Sequence, residues 1–289
     1  MQGKQLICIL TTIYEKQENI KTIVQYENII KILRQIDYTK YDVIINCNRE
    51  EYHKEDDVNY ASKYFSDFLS SNVQFKFFSW KDVIYKHPDI SKFKDIESAY
   101  RQKKLHIGIC QFILFDNYAE HNDYDHYIFW EDDILTTCKK FIYDSIPETF
   151  DIVLIKPFEY SVRWFWYKFY KHDLGKFEHN NGIHQLYCTY RLSNDTLKDI
   201  IINTEENHLY GHHENILSNV IKWLIDNKHY TVTTIDQEFP AQLILDVKTL
   251  FVNRKLNQIY NANKTYNNLI IHPIKNYDQV LNLLYERTF

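Results

Sequence analysis

An apolar, aromatic run that leads directly into three consecutive carboxylates is the strongest constraint on how this chain can fold. The run covers residues 126–130 (HYIFW), and Glu131, Asp132 and Asp133 follow it before apolar residues return at Ile134. A continuous apolar run predicts a strand that is buried on both faces. Carboxylates are rarely buried unless they are paired or bind a metal. The alternative is a solvated acidic turn without a ligand.

Further apolar runs place this strand in an alternating pattern of strands and helices. Strands are predicted over residues 6–13, 41–46, 73–78, 151–155, 184–190, 230–234 and 269–271, and helices over 18–36, 58–69, 96–118, 194–202, 213–227 and 277–286. Strands that alternate with helices predict an α/β fold with a mostly parallel sheet and helices on both faces. Because such sheets bind ligands at the carboxyl ends of their strands, the acidic triplet is predicted to lie at the binding edge.

Composition excludes several classes of protein. The chain has 289 residues, is 45% hydrophobic and carries a net charge of -5, which argues against a nucleic-acid-binding surface. The five cysteines are scattered and include no CxxC pair, so neither a disulfide framework nor a zinc site is predicted. Free thiols in a reducing compartment are expected instead. The first apolar stretch is too short to span a membrane, and a cytoplasmic protein is expected.

Four short motifs occur in an order that resembles nucleotide-sugar-dependent glycosyltransferases of the GT-A fold. The acidic triplet resembles the DxD signature, and Asn181-Gly182-Ile183 resembles the glycine loop at the donor sugar. Residues 210–215 (YGHHEN) resemble the "ED" segment that faces the acceptor. Residues 272–275 (HPIK) resemble the segment with the late metal-binding histidine. The resemblance extends over about residues 5–275. It implies a GT-A-like (Rossmann-like) single domain over 1–289, with a nucleotide-binding half at about 1–135 and an acceptor-binding half at about 136–289.

The resemblance implies sugar transfer from a nucleotide-sugar donor to a glycan or lipid-linked glycan acceptor, in surface polysaccharide synthesis of the bacterial type. A Mn²⁺ or Mg²⁺ ion would neutralise the departing diphosphate. Asp133 is the expected direct ligand, with His272 completing the metal shell and Lys275 pairing with the diphosphate. Glu131 would contact the ribose, or the metal through water. Asp132, the middle residue of the triplet, is a further candidate for binding the donor, although its side chain can point away from the site.

Residues that follow the first two predicted strands are expected to hold the nucleotide. The candidates are Thr11, Thr12 and Tyr14 after the first strand and Asn46, with Asn48, at the end of the second. Tyr14 would stack on the base, Arg101 would contact phosphate or base, and Gly182 would line the donor sugar site. A single cation such as Arg101 on a helix is also typical of solvated surface.

Glu214 is the candidate catalytic base, because an inverting transferase needs a carboxylate that removes the proton of the acceptor hydroxyl. It lies in the first turn of a predicted helix, where a carboxylate is also an ordinary partner of the helix dipole. The family often has Glu-Asp at this position with Asp as the base, whereas this chain has Glu214-Asn215. Either Glu214 serves, or the base lies elsewhere, or the enzyme retains configuration.

Several alternatives stay open. The aromatic segment 160–170 (YSVRWFWYKFY) can stack on sugars, lie at a membrane interface, or pack as core or lid. Rival functions are a nucleotidyltransferase or other phosphoryl-transfer enzyme, and a nucleotide-sugar-binding module without catalysis. The first rival normally carries a glycine-rich or basic loop near the first strand, which residues 11–15 (TTIYE) do not provide. Association with the inner face of the membrane and the oligomeric state are also open.

Overall fold

The computed structural model describes residues 3–13, 19–88, 90, 110–136, 138–157, 159–160, 175–177, 183–184, 187–209, 213–239, 242–244 and 269–271. Their strands are β1 (Gln5–Thr12), β2 (Tyr41–Asn48), β3 (Val73–Phe78), β4 (His126–Glu131), β5 (Leu135–Thr136), β6 (Ile152–Leu154), β7 (Glu159–Tyr160), β8 (Ile183–His184), β9 (Thr189–Ser193), β10 (Val232–Thr234), β11 (Gln242–Ile244) and β12 (Leu269–Ile271). Their α-helices are α1 (Asn19–Gln35), α2 (Glu55–Phe65), α3 (Trp80–Lys86), α4 (Gln111–Glu120), α5 (Asn194–Glu206), α6 (His213–Lys228) and α7 (Ile235–Glu238). No described helix is both long and apolar enough to cross a membrane.

The central sheet has seven strands in the order β10-β6-β9-β4-β1-β2-β3. β1 pairs in parallel with both β2 and β4, β2 pairs in parallel with β3, and β10 pairs in parallel with β6. β9 is antiparallel to its neighbours β4 and β6. The predicted α/β class with a mostly parallel sheet is therefore confirmed, and strands from both halves of the chain share that sheet.

Helices cover both faces of the sheet, because successive side chains of a strand point to opposite sides. Ile7 and Ile9 of β1 belong to one buried cluster with residues of α1 and α2. Leu6 and Cys8 belong to a second cluster with residues of α4, α5 and α6. β1 and β4 are buried on both faces, which explains why both read as continuous apolar runs.

Two small sheets adjoin the central one. β12 lies between β11, to which it is parallel, and β5, to which it is antiparallel. Ile271 of β12 pairs with Leu135, two residues after Asp133. β7 and β8 form an antiparallel pair. The pairing of β5 with β12 therefore brings a late segment of the chain to the end of β4.

The structure corrects one predicted strand. Residues 184–190 were expected to form a single strand, but β8 ends at His184 and β9 begins at Thr189. Tyr187 and Cys188 between them are fully buried without belonging to a strand. An apolar run reports burial, and burial alone does not distinguish a strand from irregular backbone.

Helix boundaries also differ from the sequence prediction. α2 begins at Glu55, before the predicted start at residue 58. The apolar pattern missed its first turn because that turn is acidic, which is favourable at the start of a helix. α3 was not predicted, although a capping box formed by Ser79 and Asp82 begins it. Of the helix predicted over 96–118, only the part in α4 is described, and the helix predicted over 277–286 lies outside the described residues.

A buried pair of amides joins α4 to the sheet. Asn117 of α4 donates from Nδ2 to Oδ1 of Asn46 in β2 at 3.2 Å and to the carbonyl oxygen of Ile113 at 2.9 Å. Asn46 donates from its own Nδ2 to the carbonyl oxygens of Ile9 and Ile44, each at 3.4 Å. Both polar atoms of the Asn46 side chain are therefore bonded within the protein.

Replacing Asn117 with leucine should lower the free energy of unfolding by about 1–3 kcal/mol, because the buried Asn46 oxygen loses its donor. Urea denaturation followed by circular dichroism measures this loss. Asn227→Leu is the matched control, since Asn227 makes the same bond to the carbonyl four residues earlier, at 2.8 Å to Trp223, but is exposed. An equal loss in both variants would contradict a specific role for the Asn117–Asn46 bond.

Candidate functional site

The acidic triplet extends β4 beyond its last strand residue and stays tied to β1. Glu131 pairs with Leu10, and the backbone amide of Asp132 donates to the carbonyl oxygen of Leu10 at 3.1 Å. This places the triplet at the carboxyl edge of the parallel strands, where ligands of α/β sheets bind. Because side chains alternate along a strand, Glu131 and Asp132 point to opposite faces.

Asp132 points into the face that α1 covers. Its side chain is buried, and Thr11 at the end of β1 donates its hydroxyl to Oδ2 of Asp132 at 2.6 Å. Nδ2 of Asn28 in α1 donates to the backbone oxygen of Asp132 at 3.4 Å. Burial, and secondarily the Asp132 charge, raise the pKa of the Cys47 thiol well above its usual value. Thr11 and Asp132 thus fasten β1, α1 and β4 together at this edge.

Glu131 points to the opposite face and meets two residues from other elements. One carboxylate oxygen of Glu131, the sulfur of Cys110 and one ring nitrogen of His213 all lie within 4.8 Å of one another. Cys110 caps the start of α4, and His213 is the first residue of α6. Cys110 and His213 are buried, whereas Glu131 is half-buried. We call Cys110, Glu131 and His213 the CEH cluster.

The electrostatic environment of the CEH cluster is negative. Burial is the main cause that raises the pKa of the Cys110 thiol well above its usual value, and the charges of Glu131 and Glu214 raise it further. Glu214 is half-buried in the first turn of α6, directly after His213. The Tyr187 ring lies 6.5 Å from the His213 ring, between centroids, and burial followed by the Glu214 charge raises the pKa of Tyr187. Two carboxylates from different elements therefore both raise the pKa of the buried Cys110 thiol.

Asp133 follows Asp132 in the turn that leads to β5. It is half-buried, and two residues later β5 begins its antiparallel pairing with β12. Ile271, the last residue of β12, is bonded to His272, which lies outside the described residues. Ile271 pairs with Leu135, so the end of β12 is close to the end of the acidic triplet.

The ends of β1 and β2 form a polar stretch beside the triplet. Thr12 is half-buried, and its hydroxyl lies 3.5 Å from Oδ1 of Asn48. Asn48 donates from Nδ2 to Oε1 of Glu50 at 2.8 Å, and the same oxygen accepts from the backbone amide of Trp80 at 2.7 Å. Glu50 is only 4% exposed. Sequence reasoning missed this buried carboxylate, although it follows the second predicted strand closely.

Five predicted site residues lie outside the described residues, as does most of the aromatic segment. They are Tyr14, Arg101, Gly182, His272 and Lys275, together with positions 161–170. Among the described candidates, Glu131 belongs to the CEH cluster and Glu214 lies near it. Thr11 and Asp132 form a hydrogen bond with each other. Asn46 forms a hydrogen bond with Asn117 of α4. Sequence reasoning also missed Cys110 and His213. Both stand at the start of an apolar helix, and His213 also belongs to the motif at residues 210–215, in which only Glu214 was singled out.

Thr11→Val should reduce the free energy of unfolding by about 1.5–3 kcal/mol, the range for a hydrogen bond to a charged group. Valine keeps the shape of threonine but leaves the buried Asp132 carboxylate without this donor. Thr12→Val is the control, because its hydroxyl contact is long and more exposed, and we expect a change within about 0.5 kcal/mol. Chemical denaturation of both variants measures the difference, and equal stabilities would remove Thr11 as the anchor of Asp132.

Comparison with known proteins adds little to this geometry. No protein-family model matches the chain, and a search of curated proteins finds no match. Among solved structures, the crystal structure of mouse xyloside xylosyltransferase 1 in its apo form aligns with a TM-score of 0.46 and 11% sequence identity. The alignment covers 90% of this chain and 92% of the mouse chain. At this score the likeness supports no conclusion about shared chemistry.

Proposed function

We propose that this chain is a metal-dependent glycosyltransferase that moves a sugar from a nucleotide-sugar donor to a glycan or lipid-linked glycan. One observation carries the proposal: Glu131 at the end of β4 and His213 at the start of α6 have ligand atoms within 4.8 Å of each other. Glu214, the candidate base, directly follows His213 in α6 and so lies near this carboxyl edge of the sheet. In the proposed function, donor and acceptor would meet at this edge.

The residues at this edge suit a hard divalent cation. Asp133 offers carboxylate oxygens, which Mn²⁺ and Mg²⁺ prefer, whereas the Asp132 carboxylate is already bonded to Thr11. The pairing of β12 with β5 supports His272 as the second ligand. Such an ion supplies charge neutralisation for the departing diphosphate. Lys275, three residues after His272, would pair with the same diphosphate.

The ends of β1 and β2 would hold the nucleotide. Thr12, half-buried, offers a hydroxyl at this edge, and Tyr14 two residues later would stack on the base. We assign Thr11 and Asn46 a supporting role, because their polar atoms bond to Asp132 and Asn117. Arg101 and Gly182 keep the roles that the sequence suggests, at the phosphates or base and at the donor sugar.

Glu214 would accept the proton of the acceptor hydroxyl in an inverting reaction. A general base must lie within hydrogen-bond reach of the proton that it removes. Glu214 is half-buried and neighbours the CEH cluster, so its carboxylate borders the edge at which the donor would bind.

Asp133→Ala should abolish metal-dependent donor binding. The wild-type protein is incubated with Mn²⁺ and a panel of UDP-, GDP-, dTDP- and CMP-sugars, and its melting temperature is followed. A bound donor raises the melting temperature by mass action. We expect a rise that needs Mn²⁺, disappears with chelator and is absent in Asp133→Ala.

Asp123→Asn is the control for that experiment, because Asp123 is exposed and precedes β4 at the opposite end of the strand. Its metal-dependent shift should equal that of the wild type. A donor shift that persists in chelator, or in Asp133→Ala, would exclude Asp133 as the metal ligand. Release of nucleoside diphosphate, or of CMP from a CMP-sugar, indicates sugar transfer, whereas release of pyrophosphate from a nucleoside triphosphate and a sugar 1-phosphate indicates nucleotidyl transfer.

Glu214→Gln should leave donor binding intact and lower the transfer rate by about a hundredfold or more, the scale on which general-base loss acts. The rate is measured with the donor and acceptor that the screen identifies. Asp226→Asn, near the other end of α6, is the matched control and should retain the wild-type rate. Near-normal turnover in Glu214→Gln would remove Glu214 from the mechanism.

A further inference from the structure

The CEH cluster joins three side chains that are typical metal ligands and that arrive from three separate elements. Cys110 comes from the start of α4, Glu131 from the end of β4 and His213 from the start of α6. Their ligand atoms converge within 4.8 Å, and two of the three residues are buried. Such convergence needs the packing of both helices on the same face of the sheet, so it does not follow from any one local motif.

The ligand types select the class of metal. Thiolate and imidazole are soft to intermediate ligands that suit Zn²⁺ and its neighbours, whereas Mg²⁺ and Mn²⁺ prefer oxygen. A zinc ion that binds water or substrate usually has three protein ligands and one open coordination position. The cluster therefore fits a borderline transition metal better than the cation proposed at Asp133.

The distances permit coordination with little movement. Ligand atoms around a tetrahedral zinc ion lie about 3.5 Å apart, given bond lengths near 2.0–2.3 Å. The separations in the cluster, all within 4.8 Å, exceed this by about 1.3 Å at most. Glu131 is half-buried and has rotatable side-chain bonds, so rotation of its carboxylate can close the difference.

Two observations concern the surroundings of the proposed ligands. Glu131 belongs to the cluster and Glu214 directly follows His213 in the first turn of α6, so two carboxylates occur at the proposed site. Gln111, next to Cys110, is fully buried, and neither its amide nitrogen nor its amide oxygen has a hydrogen-bond partner within the part of the chain that the structure describes. Buried amides are normally satisfied by hydrogen bonds, so the Gln111 amide is an exception that directly follows Cys110 in sequence.

We propose that Cys110, Glu131 and His213 bind one zinc-like transition-metal ion, separate from the ion at Asp133. The site binds the metal through one sulfur, one oxygen and one ring nitrogen, and leaves a coordination position for water or substrate. This assignment does not depend on glycosyl transfer. It would tie the starts of α4 and α6 to the end of β4 and would fix the orientation of the turn that carries Glu214.

Titration of the chelator-treated full-length protein with Co²⁺ tests the proposal without any assay of activity. A cobalt ion bound to a cysteine thiolate gives a sulfur-to-metal charge-transfer absorption that oxygen or nitrogen ligands do not give. We expect one equivalent of Co²⁺ to produce this absorption and Zn²⁺ to displace it. Cys110→Ala should abolish it, and His213→Gln should weaken binding by more than about 100-fold, beyond the range for losing an outer partner of a metal ligand.

Cys8→Ala is the matched control, since Cys8 is a buried cysteine of β1 outside the cluster, and it should keep the absorption. Asp133→Ala should keep it too, which separates this proposal from the one for the donor metal. Circular dichroism verifies that each variant is folded. If the folded wild-type protein shows no thiolate absorption, or if Cys110→Ala retains it, the cluster is a hydrogen-bonded group without metal and the proposal is wrong.

Discussion

The parallel pairing of β1 with β4 is the constraint on which the rest of this structure depends. The pairing continues one residue past β4, where the Asp132 amide donates to the carbonyl oxygen of Leu10. Because the backbone stays strand-like up to this point, the side chains of consecutive carboxylates point to opposite faces. Asp132 bonds to Thr11 under α1, while Glu131 meets Cys110 and His213 beside α4 and α6. Neighbouring residues of one acidic motif therefore have different interaction partners on opposite faces of the sheet.

The central strands β1, β2 and β4 could be predicted from the sequence because they are buried on both faces. β3 and β12 have the predicted bounds, since each is a short stretch rich in apolar or aromatic residues with a polar residue on each side. The strand order is not encoded in such runs, and neither is the antiparallel direction of β9. The position of Glu131 at a strand end and of Glu214 in a first helical turn follows from local pattern. The meeting of Cys110 and His213 with Glu131 does not, because it depends on how two separate helices pack.

Negative charge at the carboxyl edge limits what can bind there. Glu131 and Glu214 both act on the Cys110 thiol, so an anionic ligand that approaches this edge meets repulsion. A diphosphate would need a cation beside it, and bound cations often dominate the local field of such sites. The proposed donor metal at Asp133 and the proposed metal of the CEH cluster answer the same electrostatic requirement with different ligand chemistry.

The three-stranded sheet of β11, β12 and β5 joins parts of the chain that are synthesised at different times. β12 follows the strands of the central sheet in the chain, yet it pairs with β5, directly after the acidic triplet. Synthesis proceeds from the amino terminus, so the ribosome releases β1 to β10 before β12 emerges. The central sheet can thus form during translation before β12 is available to pair with β5 beside Asp133. The edge beside Asp133 is therefore completed late in synthesis. A chain that stops before β12 would contain the central sheet without the pairing of β12 with β5.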